Sequence, residues 1–182
     1  DGIFKSEGLQ TIDDGAFYFL ARDDLTIPAS VKTLGQNCLI GADLLKSVTF
    51  APGSRLETLG TYAFNDCTAI EYIKLPESLR TISTATSAYY VNGVEYVKNV
   101  AGTFDGCVNL KTLDMSACKY LEVLPTYVIT GCTSLETLLL PPNLVKIDDF
   151  AFGDPLGLMR RYSSDGCPAP LTSLKEITLP PN

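Results

Sequence analysis

The sequence predicts an α/β repeat solenoid: about six coils of 23–25 residues, stacked so that one strand from each joins a parallel sheet. Three observations predict it. The stretch from Leu56, LETLGTYAFNDCTAIEYIKLPES, and the stretch from Leu121, LEVLPTYVITGCTSLETLLLPPN, carry apolar residues at the same offsets and reach Pro76 and Pro141. The same frame recurs at Ile12, Leu34, Leu59, Ile82, Leu124 and Ile147, with spacings of 22, 25, 23, 42 and 23. And 182 residues at 46% apolar and 19% charged suit one domain with a real core, not a disordered chain.

Each coil supplies the same parts in the same order. A segment such as Ile70 to Leu75 is a short strand that pairs in parallel with its counterpart in the next coil, at ~4.8 Å. Ile73 and Leu75 point inward, Tyr72 and Lys74 outward, and Pro76 ends the strand because it has no N–H for the ladder. The Ala63-Phe64 corner is predicted as a single helical turn whose Phe plugs the far side of the core, with Phe104 and Phe152 as its equivalents.

The coils depart from the pattern at identifiable places. In the first, the closing strand Asp24 to Ile27 reads as weak, since it follows the polar Arg22 and Asp23. In the second, Cys38 and Leu39 replace the Ala-Phe pair and Ala42 replaces the Cys. The fourth and sixth carry insertions, at about 84–100 and about 154–172, within what reads as a single domain over 1–182. Asn92-Gly93 in the first insertion lies between alternating apolar residues and predicts a hairpin in which Val91 pairs with Val94 and Tyr89 with Tyr96. Leu179-Pro180-Pro181-Asn182 repeats Leu140-Pro141-Pro142-Asn143, which leads into a further coil.

Composition narrows the chemistry. Lys and Arg total 14 against 21 Asp and Glu, so the net charge is −7, the wrong sign for nucleic acid or an anionic membrane. His is absent, which excludes a Ser-His-Asp or Cys-His unit and any His-ligated metal in this chain. No apolar run approaches the roughly 20 residues of a membrane span, and the N-terminus has no leader pattern. Asp13-Asp14, Asp23-Asp24 and Asp148-Asp149 are adjacent in corners, where they point apart rather than facing each other as a glycosidase pair must. No Gly-rich phosphate loop or C-x-x-C pair occurs. The expectation is no enzyme, no cofactor and no metal.

The six cysteines read as a core feature, not a disulfide framework. Cys67, Cys107, Cys132 and Cys167 share one inward repeat position, so they form a ladder of buried thiols acting as small hydrophobes. Stacked Cβ vectors run parallel and stay too far apart for easy bridging.

The signature from Ala63-Phe64 through Cys67 to Leu75-Pro76 resembles the BspA-like leucine-rich repeats of bacterial surface proteins. The resemblance spans essentially the whole chain. It implies a right-handed leucine-rich-repeat coil with the parallel sheet on its concave face. It implies a secreted or cell-surface protein, with adhesion to an extracellular protein or glycan as the function of some members. A passive spacer within a larger surface protein is the alternative, and an enzyme comes third. The partner is set by exposed residues, not by the scaffold.

Two groups of residues are candidates for partner binding. On the sheet, Tyr72 with Lys74 and Asp114 in the next coil is the one cluster with recognition character among mostly small outward residues. In the insertions, Tyr89 and Tyr96 with Arg160, Arg161 and Tyr162 form a Tyr- and Arg-rich set, the composition favoured at binding hot spots. Tyr127, in the uninterrupted coil between them, is expected to lie beneath both insertions. The competing reading is that the loops fold down and cap the flank. The chain is expected to be a monomer.

Overall fold

The computed structural model describes residues 8–91, 94–153, 171 and 173–180. Its strands are β1 (Thr11–Ile12), β2 (Asp24–Ile27), β3 (Thr33–Leu34), β4 (Ser47–Phe50), β5 (Thr58–Leu59), β6 (Tyr72–Lys74) and β7 (Thr81–Ile82) in the first half. They continue as β8 (Ala85–Val91), β9 (Val94–Ala101), β10 (Thr112–Asp114), β11 (Val123–Leu124), β12 (Thr137–Leu139), β13 (Lys146–Ile147) and β14 (Glu176–Thr178). One six-stranded sheet runs in the order β14-β12-β10-β6-β4-β2, and every pairing in it is parallel. Each strand comes from a successive coil, so the chain is a parallel β-solenoid.

Register follows the repeat. Ile73 pairs with Leu113 and Leu113 with Leu138, all of them inward, while Tyr72 pairs with Thr112 and Lys74 with Asp114. The first closing strand is not weak: β2 pairs with β4 over four residues. Leu25 and Ile27 are buried, and a hydroxyl bond of 2.9 Å joins Thr26 to Thr49. Two inward residues and two β-branched side chains outweigh the polar residues before them.

A second, narrower ladder lines another side of the coil. β1-β3-β5-β7 pair in parallel, and β11 pairs with β13 separately. The break falls where the first insertion leaves the coil after β7. There β8 and β9 form the hairpin with Val91 opposite Val94 and Tyr89 opposite Tyr96, as the sequence predicts. Its Asn92-Gly93 turn lies outside the described residues. The Thr103 hydroxyl donates to the Ser83 carbonyl at 2.9 Å and ties the two ends of the insertion together.

The expected helical turn at the corner does not form, and no helix occurs among the described residues, so the α/β class is corrected to an all-β solenoid. The reason is where the amides go. Phe64 and Asp66 donate to the Thr103 and Asp105 carbonyls of the next coil at 2.9 and 2.8 Å, while Ala63 and Asn65 donate back to Gly60 and Tyr62. An α-helix needs every amide for the carbonyl four residues behind it. Here every second one belongs to the neighbouring coil. Two left-handed residues per corner turn the chain: Asn37 and Gly41, Tyr62 and Asp66, and Tyr127 and Gly131, all with φ between 56° and 68°.

The core is continuous along the stack. Phe64 and Phe104 are fully buried and stack with ring centroids 5.4 Å apart and planes 12° apart, and Phe152 packs partly buried against the same core. Cys38, Cys67, Cys107, Cys118 and Cys132 are buried and unbridged, and Cys167 lies outside the described residues. The thiols of Cys67, Cys107 and Cys132 donate to the carbonyls of Leu39, Phe64 and Phe104, each in the preceding coil, at 3.2, 3.1 and 3.1 Å.

Candidate functional site

The outward face of the six-stranded sheet is made of two columns. One runs Asp24, Ser47, Tyr72, Thr112, Thr137, Glu176, and the other Thr26, Thr49, Lys74, Asp114, Leu139, Thr178. Tyr72 stands out by size, being 51% exposed among small and mostly hydroxylated neighbours. Alternation in β6 aims it and Lys74 to the same side while Ile73 is buried between them.

Asp114 is the fixed point of the cluster. Its carboxylate is buried and accepts from the Ser116 hydroxyl at 2.6 Å and the Ser116 amide at 2.9 Å. Its other oxygen lies 3.2 Å from the Lys74 ammonium. Burial alone raises its pKa, but the Ser116 bonds and the Lys74 charge together outweigh that and lower it. Asp114 is therefore an anion that orients Lys74, whose own pKa is raised by the same bond. Lys74 remains more than half exposed, so its other donors can reach a partner.

This arrangement can bind but offers no nucleophile paired with a base. Burial pushes the Cys38 and Cys118 thiols up to about 12, and the Cys67 thiol higher still, so they are protonated at neutral pH. Among the described residues, no group of three or more acidic or thiol side chains could hold a metal. No helix of the described residues is long and apolar enough to cross a membrane.

The insertion residues are placed differently. Tyr89 and Tyr96 are cross-strand partners in the hairpin. Arg160, Arg161 and Tyr162 lie outside the described residues. Tyr127 is buried: its ring stacks on Phe150 of the next coil, with centroids 5.5 Å apart and planes 8° apart. Its carbonyl lies so close to Gly102 that no larger residue fits there.

A family model described as BspA type leucine rich repeat region matches residues 3–97 and 89–159 in six copies. The chain belongs to the BspA-type leucine-rich repeat family. Solved structures agree on the fold of this BspA-type chain. A leucine rich cell surface protein of Faecalibacterium prausnitzii superimposes with a TM-score of 0.57 at 16% identity, covering 93% of this chain and 42% of that one. A leucine rich repeat protein of T. pallidum gives 0.52 at 18% identity, covering 84% and 76%. One from Eubacterium ventriosum gives 0.50 at 23%, covering 86% and 41%. The chain thus spans less than half the length of the first and third. No curated protein matches it.

In the BspA-type frame, two features missed in the sequence become visible. One repeat position, two residues before Leu25, Val48, Ile73, Leu113, Leu138 and Ile177, alternates in charge through all six coils: Asp23, Lys46, Glu71, Lys111, Glu136, Lys175. Lys111 meets Glu71 at 2.7 Å and Lys175 meets Glu136 at 2.9 Å. The alternation could have been found by reading one position down the aligned repeats. The other is the exposed pair Tyr18 and Phe19, at corner positions where other coils carry mostly small or polar residues.

Proposed function

We propose that this chain is a non-enzymatic interaction module of a secreted or cell-surface protein, and that it engages an extracellular protein or glycan through the outward face of its six-stranded sheet. The observation that carries this reading is Tyr72, a half-exposed ring at the centre of the sheet with Lys74 held beside it by Asp114. A solenoid that only separates other domains has no use for a pinned cation next to an exposed ring. Membership of a repeat family supports the reading, and so does a fold shared with a protein named for its place on the cell surface.

Binding to arrays of extracellular matrix proteins and of glycans tests it. A specific hit that weakens in both Tyr72→Ser and Lys74→Glu, with thermal stability retained, is the expected outcome. A hit indifferent to both variants removes the sheet from the site. No hit above background for any component favours the passive spacer.

A further inference from the structure

The corner face exposes an aromatic pair. Tyr18 and Phe19 are 53% and 63% exposed and meet edge-to-face with centroids 4.5 Å apart. The Phe19 amide donates to the Ile40 carbonyl at 3.0 Å, which sets the pair against the second coil. The Phe19 ring lies across Gly41, where a Cβ would collide with it. Leu44, 60% exposed, follows on the same corner. Phe19 also holds a left-handed φ of 54°, at the position where three other coils place Gly41, Gly106 and Gly131. Glycine suits that backbone and an aromatic residue does not. Covering one glycine does not need a ring left mostly in water.

Charge identifies the occupant. The six corner segments, residues 12–21, 35–45, 59–70, 102–110, 124–135 and 147–153, hold seven Asp and no Lys or Arg. Of the 21 acidic and 14 basic residues in the chain, this leaves 14 of each elsewhere, so the whole net charge of −7 resides in the corners. The sheet side is balanced internally by its alternating ladder. We infer that the Tyr18–Phe19 corner docks a Lys- or Arg-bearing segment of another protein, its cations over the two rings and its remaining charge facing Asp13 and Asp43. Cationic side chains are attracted to aromatic faces, and Arg and aromatic residues are the common anchors of interfaces.

The test uses the full chain and two labelled peptides of about 12 residues, one of alternating Arg and Leu and one with Glu in place of Arg, read by fluorescence anisotropy. The Arg peptide should bind, more weakly as salt rises. Phe19→Gly should weaken it by about tenfold or more, the scale of losing an anchor. Because glycine fits the left-handed backbone, that variant should keep its thermal midpoint; if it does not, Tyr18→Ser leaves Phe19 in place and should weaken binding likewise. Asp43→Asn should flatten the salt dependence, and Tyr72→Ser should change nothing, which separates this surface from the sheet. Equal binding of the Glu peptide overturns the inference. So does an affinity unchanged by both aromatic variants, or a glycan-array hit lost in Phe19→Gly when the Arg peptide does not bind.

Discussion

The thiol of Cys132 donates to the backbone carbonyl of Phe104, 3.1 Å away in the preceding coil. Cys107 does the same to Phe64, and Cys67 to Leu39. A small apolar side chain with one weak donor fits a site that is dry and faces a carbonyl with a spare lone pair. This accounts for cysteine at that position better than burial alone, since alanine would fill much of the space and leave the carbonyl with one partner fewer.

The first prediction concerns these thiols. Burial pushes Cys38 and Cys118 up to about 12, and Cys107 is raised first by the neighbouring Cys132 thiol and then by burial. All five described thiols are buried, so a thiol-specific chromogenic reagent at pH 8 should leave Cys38, Cys67, Cys107, Cys118 and Cys132 unmodified in the native protein and label all five in denaturant without prior reduction. Peptide mapping of the label assigns each residue. A disulfide among these five in the native protein would contradict the ladder.

Phe64 is the second. Its ring is fully buried and stacked on Phe104, so Phe64→Ala removes core contacts in two coils at once. The expected loss is about 3–5 kcal/mol, as for other buried Phe side chains. Urea unfolding would measure it, and Phe64→Leu should cost distinctly less because it refills most of the volume.

The frame, the inward residues and the hairpin register were legible because each rests on a repeated or local signal. Ile12, Leu34, Leu59 and Ile82 recur at near-constant spacing, and Asn92-Gly93 fixes Val91 opposite Val94. The corner was not legible in the same way. The first of its two left-handed positions holds Asn37, Tyr62, Tyr127 and Phe150 in four coils, where glycine would have signalled a positive φ. The amides that prevent a helix there bond across coils, over 21 to 39 residues, and nothing local marks them. Tyr72 was found because it breaks a column of small residues. Tyr18 and Phe19 have no such signal, because two aromatics beside Phe17 are not distinguished by pattern from residues of the core.

The third prediction is a pH dependence. Burial pushes the Asp105 carboxyl up to about 6, the Asp66 charge adds to this, and bonds from the Thr130 hydroxyl and the Gly106 amide oppose it. A raised carboxyl means that the folded chain holds the proton more tightly than the unfolded chain. That contribution is fully present below the unfolded value of 3.8 and is lost as pH rises through about 6. Asp105→Asn keeps an acceptor for Thr130, which bonds Asp105 at 2.7 Å, and removes the buried charge. It should raise stability by about 1–2 kcal/mol at pH 7.5, after solvent screening is allowed for, and by little at pH 4. Thermal midpoints of both proteins across that range check it. A parallel shift at every pH would mean that the effect is not ionisation.

The last prediction concerns the column Asp23, Lys46, Glu71, Lys111, Glu136, Lys175. Successive members sit one strand apart, held in place by backbone bonds such as Lys111 N to Glu71 O and Glu136 N to Lys111 O at 2.8 and 2.9 Å. Directly stacked charges of opposite sign help a sheet, and like charges oppose it. Lys111 has a neighbour on either side, so its reversal changes two junctions at once. Lys111→Glu should lower the thermal midpoint more than Lys111→Ala, because it adds repulsion from both Glu71 and Glu136 where the alanine only removes attraction. The pair Lys111→Glu with Glu136→Lys restores the junction between the two and creates repulsion at its ends, against Glu71 and Lys175. It should therefore stay below the wild type. Adding Glu71→Lys to that pair moves one of the two clashes outward, to Lys46, without removing it. Only reversal of the whole column should recover the starting midpoint. These are exposed charges, so the differences should shrink at high ionic strength, where the Debye length falls to about 3 Å at 1 M salt, less than the strand spacing. A midpoint for Lys111→Glu that is unaffected by salt would show that its cost comes from side-chain packing and not from charge order.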